Sequence, residues 1–277
     1  MENNYNNYQL LGIIGNPLRQ SLSPILHNYW MKRYDINGVY IPICLENISK
    51  INTALKSLNF KGLNVTIPFK KKIIPHLDFV DKDAKNLEAV NTIVNIKGKL
   101  KGYNTDLYGF SIGLEKAKKW NPEDPVVILG AGGASEAAIA GVLKLGATKI
   151  FIMNRTPSKI LKLTRKYENV KKADWLCTRT IKSAGLFINT TSLGMRGYSE
   201  IPIKKDVFNK NVVIYDIVYN PLETKLIKLA QQSNLSFIQG MDMFVNQAAK
   251  SFSLWFGKNP SISSQTIKLI KNNLFKK

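Results

Sequence analysis

The chain has 277 residues, 44% of them hydrophobic, and carries a net charge of +21. This length suits one large domain or two moderate ones, and the apolar fraction supplies a packed core. No run approaches the roughly 18 apolar residues of a membrane span, and the polar start lacks the order of a secretory signal. Cys44 and Cys177 fit no metal or redox spacing, so we expect a reduced, cytoplasmic protein without membrane association.

The positive charge raises the question of a nucleic-acid partner, because basic proteins bind polyanions. The lysines are scattered in short runs, and neither an aromatic-studded basic stripe nor a zinc spacing accompanies them. We therefore expect solvated lysines and no nucleic-acid partner, with a polyanion partner as the alternative. In either case, the charge attracts anionic small molecules.

The N-terminal segment alternates predicted strands and helices. LLGIIG is a short apolar run that stops at Gly15-Asn16-Pro17, as a strand followed by a turn does. Pro24 then occupies a favourable first position for a helix over ILHNYWMKRY. Further strands follow in GVYIPICL and GLNVTI, and AVNTIVNIKGKLKGYNTD predicts a hairpin that turns at Lys97-Gly98.

The segment from Asp106 onward has a longer strand–helix alternation. The β-branched run VVILG is typical of a buried parallel strand, and KIFIMN, GLFINTT, VVIYDIVY and LSFIQ are further strands between helical stretches. This order predicts an α/β domain with a parallel sheet and helices on both faces. The last stretches, MDMFVNQAAKSFSLWFG and SSQTIKLIKNNLFK, have helical periodicity and are predicted to pack back on the first domain.

A glycine-rich turn in VVILGAGGAS joins a predicted strand to a predicted helix. Gly130 allows the tight turn, Gly132 lets the backbone approach a pyrophosphate, and the small Ser135 permits close helix–strand packing. The helix N-terminus then faces the phosphates with free N–H groups. The strand–turn–helix context predicts a dinucleotide site, and a βα turn without a ligand is the alternative. The residues of this predicted site are Gly130, Ala131, Gly132, Gly133 and Ala134.

The end of the next strand indicates which dinucleotide is bound. Proteins that bind NAD carry an acidic residue about 20 residues after the turn, where it holds the ribose 2′-hydroxyl. Here the strand ends in Asn154-Arg155-Thr156 without a carboxylate, and Arg155 offers a planar fork to a 2′-phosphate. Lys159, one helical turn further, either adds charge or is simply solvated. We therefore predict NADP as the cofactor. Glu136 is an exception beside the turn, because an inward carboxylate there repels phosphate.

Polar side chains are grouped where predicted strands of the first domain end. The groups are Ser21 with Ser23, then Asn64, Thr66 and Lys70, then Asn91, and finally Asn104, Thr105 and Asp106. Strand ends of open α/β sheets are where ligands bind, and hydroxyl and amide groups suit a small molecule with several hydroxyls. Each group also has a purely structural interpretation, such as Ser23 as a helix N-cap and Lys70 as part of a solvated lysine run.

Taken together, these segments resemble the shikimate dehydrogenase family over almost the whole chain. The matching segments are GNPLRQSLSPILHN, GLNVTIPFK, AVNTIV, GYNTDLYGF, LGAGGASEAA, NRTPSK, NTTSLGM, YDIVYNPLETKL and GMDMFVNQAAKSFSLW. The resemblance implies an oxidoreductase that reversibly reduces 3-dehydroshikimate to shikimate with NADPH, in the shikimate pathway of aromatic amino-acid biosynthesis. It also implies a substrate-binding domain of residues 1–105, on which residues 241–277 pack, and an NADP-binding Rossmann domain of residues 106–240.

The resemblance also assigns roles to individual residues. It implies a catalytic pair, Lys70 and Asp106, and two serines that hold the substrate carboxylate, Ser21 and Ser23. The other substrate contacts that it implies are Thr66, Asn91, Tyr219 and Gln247. The cofactor contacts that it implies, besides the turn and the loop 154–159, are Gly240 and Met243. Whether Lys70 carries the proton or mainly fixes the hydroxyl stays open. We expect no metal, and a monomer or a homodimer.

Three alternatives remain open. A member of the same family that also oxidises quinate, or that prefers NAD, differs by recognition of one ring hydroxyl or of the ribose, and Arg155 argues against NAD. A two-domain NADP enzyme for another cyclic substrate does not account for the paired serines that precede NVTIPFK. A basic nucleic-acid-binding protein is the third alternative, and it predicts binding with a steep salt dependence.

Overall fold

The computed structural model describes residues 7–19, 21–117 and 120–274, without the side chains of residues 116 and 117. The chain divides into two compact units, Met1–Thr105 with Ala248–Lys277, and Asp106–Gln247, which we call unit 1 and unit 2. Each unit is α/β, so the predicted fold class is confirmed. Within the described ranges, no helix combines the length and apolar character that crossing a bilayer requires.

Strands and helices alternate along most of the chain. The strands are β1 (Gln9–Gly15), β2 (Gly38–Cys44), β3 (Phe60–Val65), β4 (Phe79–Val80), β5 (Thr92–Ile96), β6 (Lys99–Tyr103), β7 (Val126–Leu129), β8 (Ile150–Met153), β9 (Val170–Lys172), β10 (Leu186–Asn189), β11 (Val213–Asp216) and β12 (Ser236–Gln239). The helices are α1 (Ser23–Arg33), α2 (Ile51–Ser57), α3 (Lys82–Asn86), α4 (Thr105–Ala117), α5 (Gly133–Lys144), α6 (Pro157–Lys166), α7 (Thr178–Lys182), α8 (Lys225–Gln232), α9 (Gly240–Phe256) and α10 (Ser264–Leu274). Residues 118, 119 and 275–277, which the sequence includes in helical or basic stretches, lie outside the described residues.

Unit 1 is built on a six-stranded sheet with the strand order β2-β1-β3-β5-β6-β4. The first strand pairs in parallel with β2 on one side and with β3 on the other. The chain therefore changes direction across the sheet between β1 and β3, which is the place where open α/β sheets bind ligands. The predicted hairpin is confirmed as the antiparallel pair β5–β6, with Lys97 and Gly98 at positive φ in its turn.

The C-terminal part of α9 packs on the unit 1 sheet through Trp255. The Trp255 Nε1–H donates to the Ile93 carbonyl at 2.9 Å, and the ring lies directly against Gly62. A Cβ on Gly62 would lie 2.2 Å from Trp255 Nε1, so only glycine allows this approach. The indole thus satisfies its donor while it buries a large apolar surface against strands β3 and β5.

Unit 2 is a doubly wound domain with the strand order β12-β11-β10-β7-β8-β9, and all neighbouring strands are parallel. Strands β7, β10 and β11 are buried along their whole length, as the continuous apolar sequence patterns predict. Separate clusters of buried apolar side chains cover the two faces, one centred on Ile128 and Val142 and the other on Val127 and Phe187. The order of the sheet reverses between β7 and β10.

The division between the units falls inside α9, after Gln247, whereas the sequence places the domain boundary at residue 240. The first part of α9 packs on unit 2, which explains the difference. Phe244 stacks on Tyr219 with 4.8 Å between ring centres, and Met243 lies against the core that includes Val142. A helix that is continuous in sequence therefore contributes its two halves to two cores.

Candidate active site

The glycine-rich turn of unit 2 begins where β7 ends. Gly130 has a φ of +114°, and a Cβ there would lie 2.6 Å from Thr190 Oγ1, so this position requires glycine. A Cβ on Gly132 or Gly133, in contrast, would meet no described atom within 4 Å. Open space above these two residues is what close approach of a pyrophosphate needs. Because α5 begins at Gly133, the N–H groups of its first turn lack intrahelical acceptors and suit an anion.

Ser135 links this turn to the neighbouring strand. Its side chain is fully buried, and its Oγ accepts the Gly132 N–H at 3.1 Å. The same Oγ lies 2.7 Å from Thr190 Oγ1, and Thr190 donates its own proton to the Leu129 carbonyl at 2.7 Å. Sequence reasoning identified Ser135 only as a small residue and missed Thr190. Thr190 directly follows β10, and Ser135 lies in the first turn of α5, the helix that follows β7. The sheet order reverses between these two strands.

Glu136 does not direct an unpaired charge at the turn. Its Oε2 forms an ion pair with Lys166 Nζ at 3.0 Å, and the residue is only 5% exposed. Lys166 belongs to the last turn of α6, and its ammonium also lies 5.4 Å from the centre of the Tyr167 ring. The carboxylate that seemed unfavourable in the sequence is thus neutralised locally by a cation far along the chain, and it ties α5 to α6.

The loop after β8 carries the side chains predicted to select the cofactor. It starts next to the glycine-rich turn, because the Gly130 N–H donates to the Met153 carbonyl at 2.8 Å. Asn154 Nδ2 donates to the Thr156 carbonyl at 2.9 Å and so shapes the loop ahead of α6. Arg155, Thr156 and Lys159 are exposed. The geometry therefore presents two cations to solvent beside the turn, where a ribose 2′-phosphate would lie.

In unit 1, the serine pair and the Thr66 segment lie at the ends of β1 and β3, where the sheet order reverses. The Ser23 N–H donates to Ser21 Oγ at 3.4 Å, and Ser23 is buried. Ser21 borders a groove of about 750 Å³ whose other lining residues are Asn16, Pro17, Leu18, Arg19, Pro24, Ile25, Pro42 and Cys44. The Thr66 N–H donates to the Ile14 carbonyl at 2.9 Å, which holds the second segment beside the first.

Lys70 follows Thr66 on a tight turn at the same edge. The Phe69 N–H donates to the Thr66 carbonyl, and the Lys70 carbonyl accepts from the Val90 N–H, each at 2.9 Å. The second bond ties the Lys70 backbone to the residue just before Asn91. Lys70 is half-buried, whereas the neighbouring Lys72 is exposed. The structure therefore separates Lys70 from a simple solvated lysine run.

Asn91 and Thr105 reach the same edge because β5 runs antiparallel to both β3 and β6, so β5 begins where these two strands end. Asn91 Oδ1 accepts the Thr105 N–H at 2.7 Å, and Asn91 Nδ2 donates to Thr105 Oγ1 at 3.0 Å. Both residues are buried, and Thr105 is the first residue of α4. Asn91 thus fixes the backbone from which the next residue, Asp106, projects. Asn104, in turn, donates from Nδ2 to the Ala89 carbonyl at 2.8 Å.

The remaining predicted residues belong to unit 2. Tyr219 stacks on Phe244 of α9, and Gln247 Nε2 donates to the Phe244 carbonyl at 2.9 Å. Gly240 starts α9 at a position where a Cβ would lie 2.2 Å from the Ile217 carbonyl oxygen, and Met243 follows one turn later. Tyr219, Gln247 and Met243 are each partly exposed. This part of unit 2 is therefore assembled around the β11 end and the start of α9.

A buried carboxyl group supports this assembly and was missed by sequence reasoning. Asp216, at the end of β11, accepts from Asn189 Nδ2 at 2.9 Å, from the Val218 N–H at 3.1 Å and from Thr224 Oγ1 at 2.6 Å. Burial raises the pKa of Asp216 to about 6, and these hydrogen bonds oppose the rise. The bonds hold the segment that leads from β11 to Tyr219.

The structure thus forms two local clusters from the predicted residues. In unit 1, the serines, Thr66, Lys70 and Asn91 all stand at one sheet edge, and in unit 2 the glycine-rich turn adjoins the Arg155 loop. Among the described residues, no group of three or more His, Cys, Asp or Glu side chains is placed to hold a metal ion. A Rossmann-type turn with basic residues beside it, together with a second α/β unit rich in strand-end hydroxyls and amides, defines a two-domain dinucleotide-dependent oxidoreductase.

Comparison with known proteins makes this class specific. Family models match residues 13–93 as the shikimate dehydrogenase substrate binding domain, residues 114–193 as shikimate/quinate 5-dehydrogenase, and residues 240–264 as the shikimate 5′-dehydrogenase C-terminal domain. The chain is 40% identical over 271 residues to the NADP(+) shikimate dehydrogenase of Halothermothrix orenii, with 93% of this chain and 94% of the relative covered. The chain belongs to the shikimate dehydrogenase family, which confirms the resemblance seen in the sequence.

Solved structures show the same relationship. The shikimate 5-dehydrogenase of Thermus thermophilus, crystallised with NADP(H) and shikimate, superposes with a TM-score of 0.83 at 28% identity, covering 97% of this chain and 99% of that one. The quinate dehydrogenase of Corynebacterium glutamicum, crystallised with NAD, superposes with a TM-score of 0.88 at 29% identity, covering 96% and 99%. These two structures share one fold, yet one is named for shikimate and holds NADP(H), and the other is named for quinate and holds NAD. Substrate and cofactor are therefore the two choices that a proposed function has to make.

Proposed function

We propose that the protein catalyses the reversible, NADPH-dependent reduction of 3-dehydroshikimate to shikimate, within the shikimate pathway of aromatic amino-acid biosynthesis. The observation that carries this proposal is the edge of the unit 1 sheet, where two serines, Thr66, Lys70 and Asn91 stand together. Their hydroxyl, amide and ammonium groups match a carboxylate and several ring hydroxyls. The curated relative from H. orenii, named an NADP(+) shikimate dehydrogenase, supports the same reaction.

The residues of unit 2 fit NADP. Gly130 adopts the left-handed conformation that a tight turn requires, and Gly132 and Gly133 leave the backbone open to a pyrophosphate. Arg155 and Lys159 lie on the adjoining loop, which has no acidic residue at the strand end to bind a ribose hydroxyl. Ala131 and Ala134 complete the turn, and we assign Gly240 and Met243 to the nicotinamide side.

We assign the carboxylate of the substrate to Ser21 and Ser23, and the ring hydroxyls to Thr66, Asn91 and the residues of unit 2, Tyr219 and Gln247. When bound, NADPH supplies the hydride. The carbonyl oxygen that becomes a hydroxyl needs a proton, and we assign its delivery to Lys70 Nζ. Asp106 orients and stabilises the ammonium group, and the same lysine accepts the hydroxyl proton in the oxidation direction.

Substrate binding is thereby assigned to residues 1–105 with the C-terminal helices of 241–277, and NADP binding to residues 106–240. We place the reaction in the cytoplasm, a choice supported by two cysteines that are both free thiols. A monomer or a homodimer is proposed as the working assembly, with no nucleic-acid partner.

The proposal is tested by nicotinamide absorbance with shikimate or quinate, each combined with NADP⁺ or NAD⁺. We expect NADP⁺ reduction with shikimate to have the highest kcat/KM of the four combinations. Equal or faster turnover with quinate and NAD⁺ would instead assign the chain to the activity named for the C. glutamicum structure. The absence of turnover in all four combinations would overturn the proposal.

A further inference from the structure

A buried polar cluster behind the unit 1 sheet edge involves a residue that no assigned role uses. Ser251, in the C-terminal part of α9, is fully buried. Its Oγ lies 2.8 Å from Thr92 Oγ1 and 3.1 Å from Thr105 Oγ1, and it accepts from Asn64 Nδ2 at 3.1 Å. A hydroxyl has one proton and two lone pairs, so one serine can bond to all three of these neighbours. A serine chosen only for its size would not need three polar partners.

The hydrogen-bonding capacities of the groups define a closed ring. Asn91 Nδ2 can only donate and does so to Thr105 Oγ1 at 3.0 Å, while Asn91 Oδ1 can only accept and does so from Thr92 Oγ1 at 3.0 Å. Between these ends lie the Thr105–Ser251 and Ser251–Thr92 contacts, in which either hydroxyl can donate, and we assign Thr105 as the donor to Ser251 and Ser251 as the donor to Thr92. Each of the four side chains then donates once and accepts once within the ring, an assignment that leaves no hydroxyl proton without an acceptor.

The Thr105 N–H determines which way the Asn91 amide faces, and the direction of the ring follows from it. Reversing the amide would place its Nδ2 against the Thr105 N–H, which Oδ1 now accepts at 2.7 Å, and would set two donors against each other. This bond and the ring together hold a proposed substrate contact, Asn91, against the backbone of Thr105, whose next residue is Asp106. Asn64 braces the ring further, since its Oδ1 accepts the Tyr40 hydroxyl at 2.7 Å.

We infer that Ser251 is a positioning residue for the reaction: it closes the ring that orients Asn91 and the start of α4. The inference rests on the proposed function, because the benefit of a fixed Asn91 amide depends on a polar substrate at that edge. Opening the ring removes the partner of Thr105 Oγ1 at 3.1 Å and one of the partners that Thr92 Oγ1 has besides Asn91, while Asn64 Nδ2 still donates to Thr92. The Asn91 amide then keeps its bond to the Thr105 N–H but is held less firmly.

The first test is steady-state kinetics of Ser251→Ala in the full-length protein. We expect kcat/KM for shikimate to fall roughly tenfold, as the loss of one buried hydrogen bond predicts, and the KM for NADP⁺ to stay within about twofold of wild type. A matched control is Thr266→Val, which removes another fully buried hydroxyl of unit 1, bonded to the Ser261 carbonyl at 3.2 Å. This control should lower thermal stability and leave both kinetic constants unchanged.

A second pair of variants separates positioning from packing. Thr92→Val preserves the shape of the side chain but opens the ring, and it should reproduce the loss in kcat/KM for shikimate. Thr92→Ser keeps the hydroxyl and removes a methyl group, so it should lower stability while it retains most of the activity. If the wild type oxidises shikimate, and Ser251→Ala and Thr92→Val oxidise it equally well, this inference is overturned and the proposed function is not. A wild type that does not oxidise shikimate overturns the proposed function and, with it, this inference.

Discussion

Ser135 Oγ, in the first turn of α5, donates a hydrogen bond of 2.7 Å to Thr190 Oγ1, in the residue that follows β10. The direction follows from Thr190, whose own proton goes to the Leu129 carbonyl. With its proton used in this way, Ser135 Oγ accepts the Gly132 N–H and holds the glycine-rich turn in one shape. A turn that is already ordered loses less entropy when a dinucleotide binds.

Replacement of Ser135 by alanine should therefore weaken NADP binding more than it weakens the fold. Ser135→Ala removes the acceptor of the Gly132 N–H, at a cost of about 1 kcal/mol, so we expect the KM for NADP⁺ to rise roughly fivefold. The KM for shikimate should stay unchanged. Ser183→Ala, which removes an exposed hydroxyl of unit 2 bonded to the Thr180 carbonyl, is the control. An unaltered KM for NADP⁺ in Ser135→Ala would show that the hydroxyl serves packing only.

Arg155 should decide between the two nicotinamide dinucleotides. A charged hydrogen bond from its guanidinium to a 2′-phosphate contributes about 2 kcal/mol, so Arg155→Gln should lower kcat/KM for NADP⁺ by roughly thirtyfold. The value for NAD⁺, which has no 2′-phosphate, should change less than twofold. Arg179→Gln removes another exposed positive charge from the same unit and controls for the change in net charge. A parallel loss with both dinucleotides would contradict the assigned contact.

Much of this arrangement follows from local sequence patterns. Continuous β-branched runs predict buried parallel strands, and Lys97-Gly98 predicts the hairpin turn, because each depends only on neighbouring residues. The shared edge of Ser21 and Thr66 also follows, since strands with the same direction end at the same edge. Asn91 reaches that edge because the antiparallel strand β5 begins there. These rules place the candidate site before any tertiary contact is known.

The partners of buried polar groups cannot be predicted from local patterns, because they depend on packing between segments that are distant in the sequence. In the sequence, Glu136 is a carboxylate beside a phosphate-binding turn. Its ion pair with Lys166 depends on how α5 and α6 pack, which no local pattern shows. In the sequence, Ser251 is one small residue of a predicted helix, yet its hydroxyl is hydrogen-bonded to that of Thr92, 159 positions away. Periodicity predicts that such a residue is buried and carries no information on which hydroxyl lies opposite.

Lys70 should be required for turnover rather than for substrate affinity. If its ammonium group transfers the proton, Lys70→Ala should reduce kcat by at least about a hundredfold and leave the KM for shikimate within a few-fold of wild type. Lys72→Ala, in which an exposed lysine of the same run is removed, controls for the loss of one positive charge. A Lys70→Ala variant with near wild-type kcat and a greatly raised KM would assign the lysine to substrate binding alone.

His27 makes stability depend on pH through an aromatic cluster in unit 1. The imidazole stacks on Tyr40 with 4.5 Å between ring centres and lies against Trp30, Phe252 and Trp255. Neither of its ring nitrogens has a hydrogen-bond partner among the described residues, and burial lowers the pKa of His27 to about 3. The folded protein therefore keeps this ring neutral under conditions in which the unfolded chain, with a pKa near 6.5, takes up a proton.

Proton uptake by the unfolded chain lowers the free energy of unfolding as pH falls from about 6.5 toward 3. Above that range the unfolded chain also keeps the ring neutral, so the free energy of unfolding does not change. Between pH 7.5 and pH 5, the His27 contribution to the free energy of unfolding should fall by about 2 kcal/mol. His27→Met, which fills the site with an apolar side chain of similar size, should remove this share of the pH dependence whatever it does to stability at neutral pH. Urea unfolding at both pH values measures the difference in the free energy of unfolding. The control is His76→Gln, at the second histidine of the chain, which should keep the wild-type difference between the two pH values. If the free energy of unfolding changes equally with pH in wild type and in His27→Met, the buried imidazole accepts a proton while the protein stays folded.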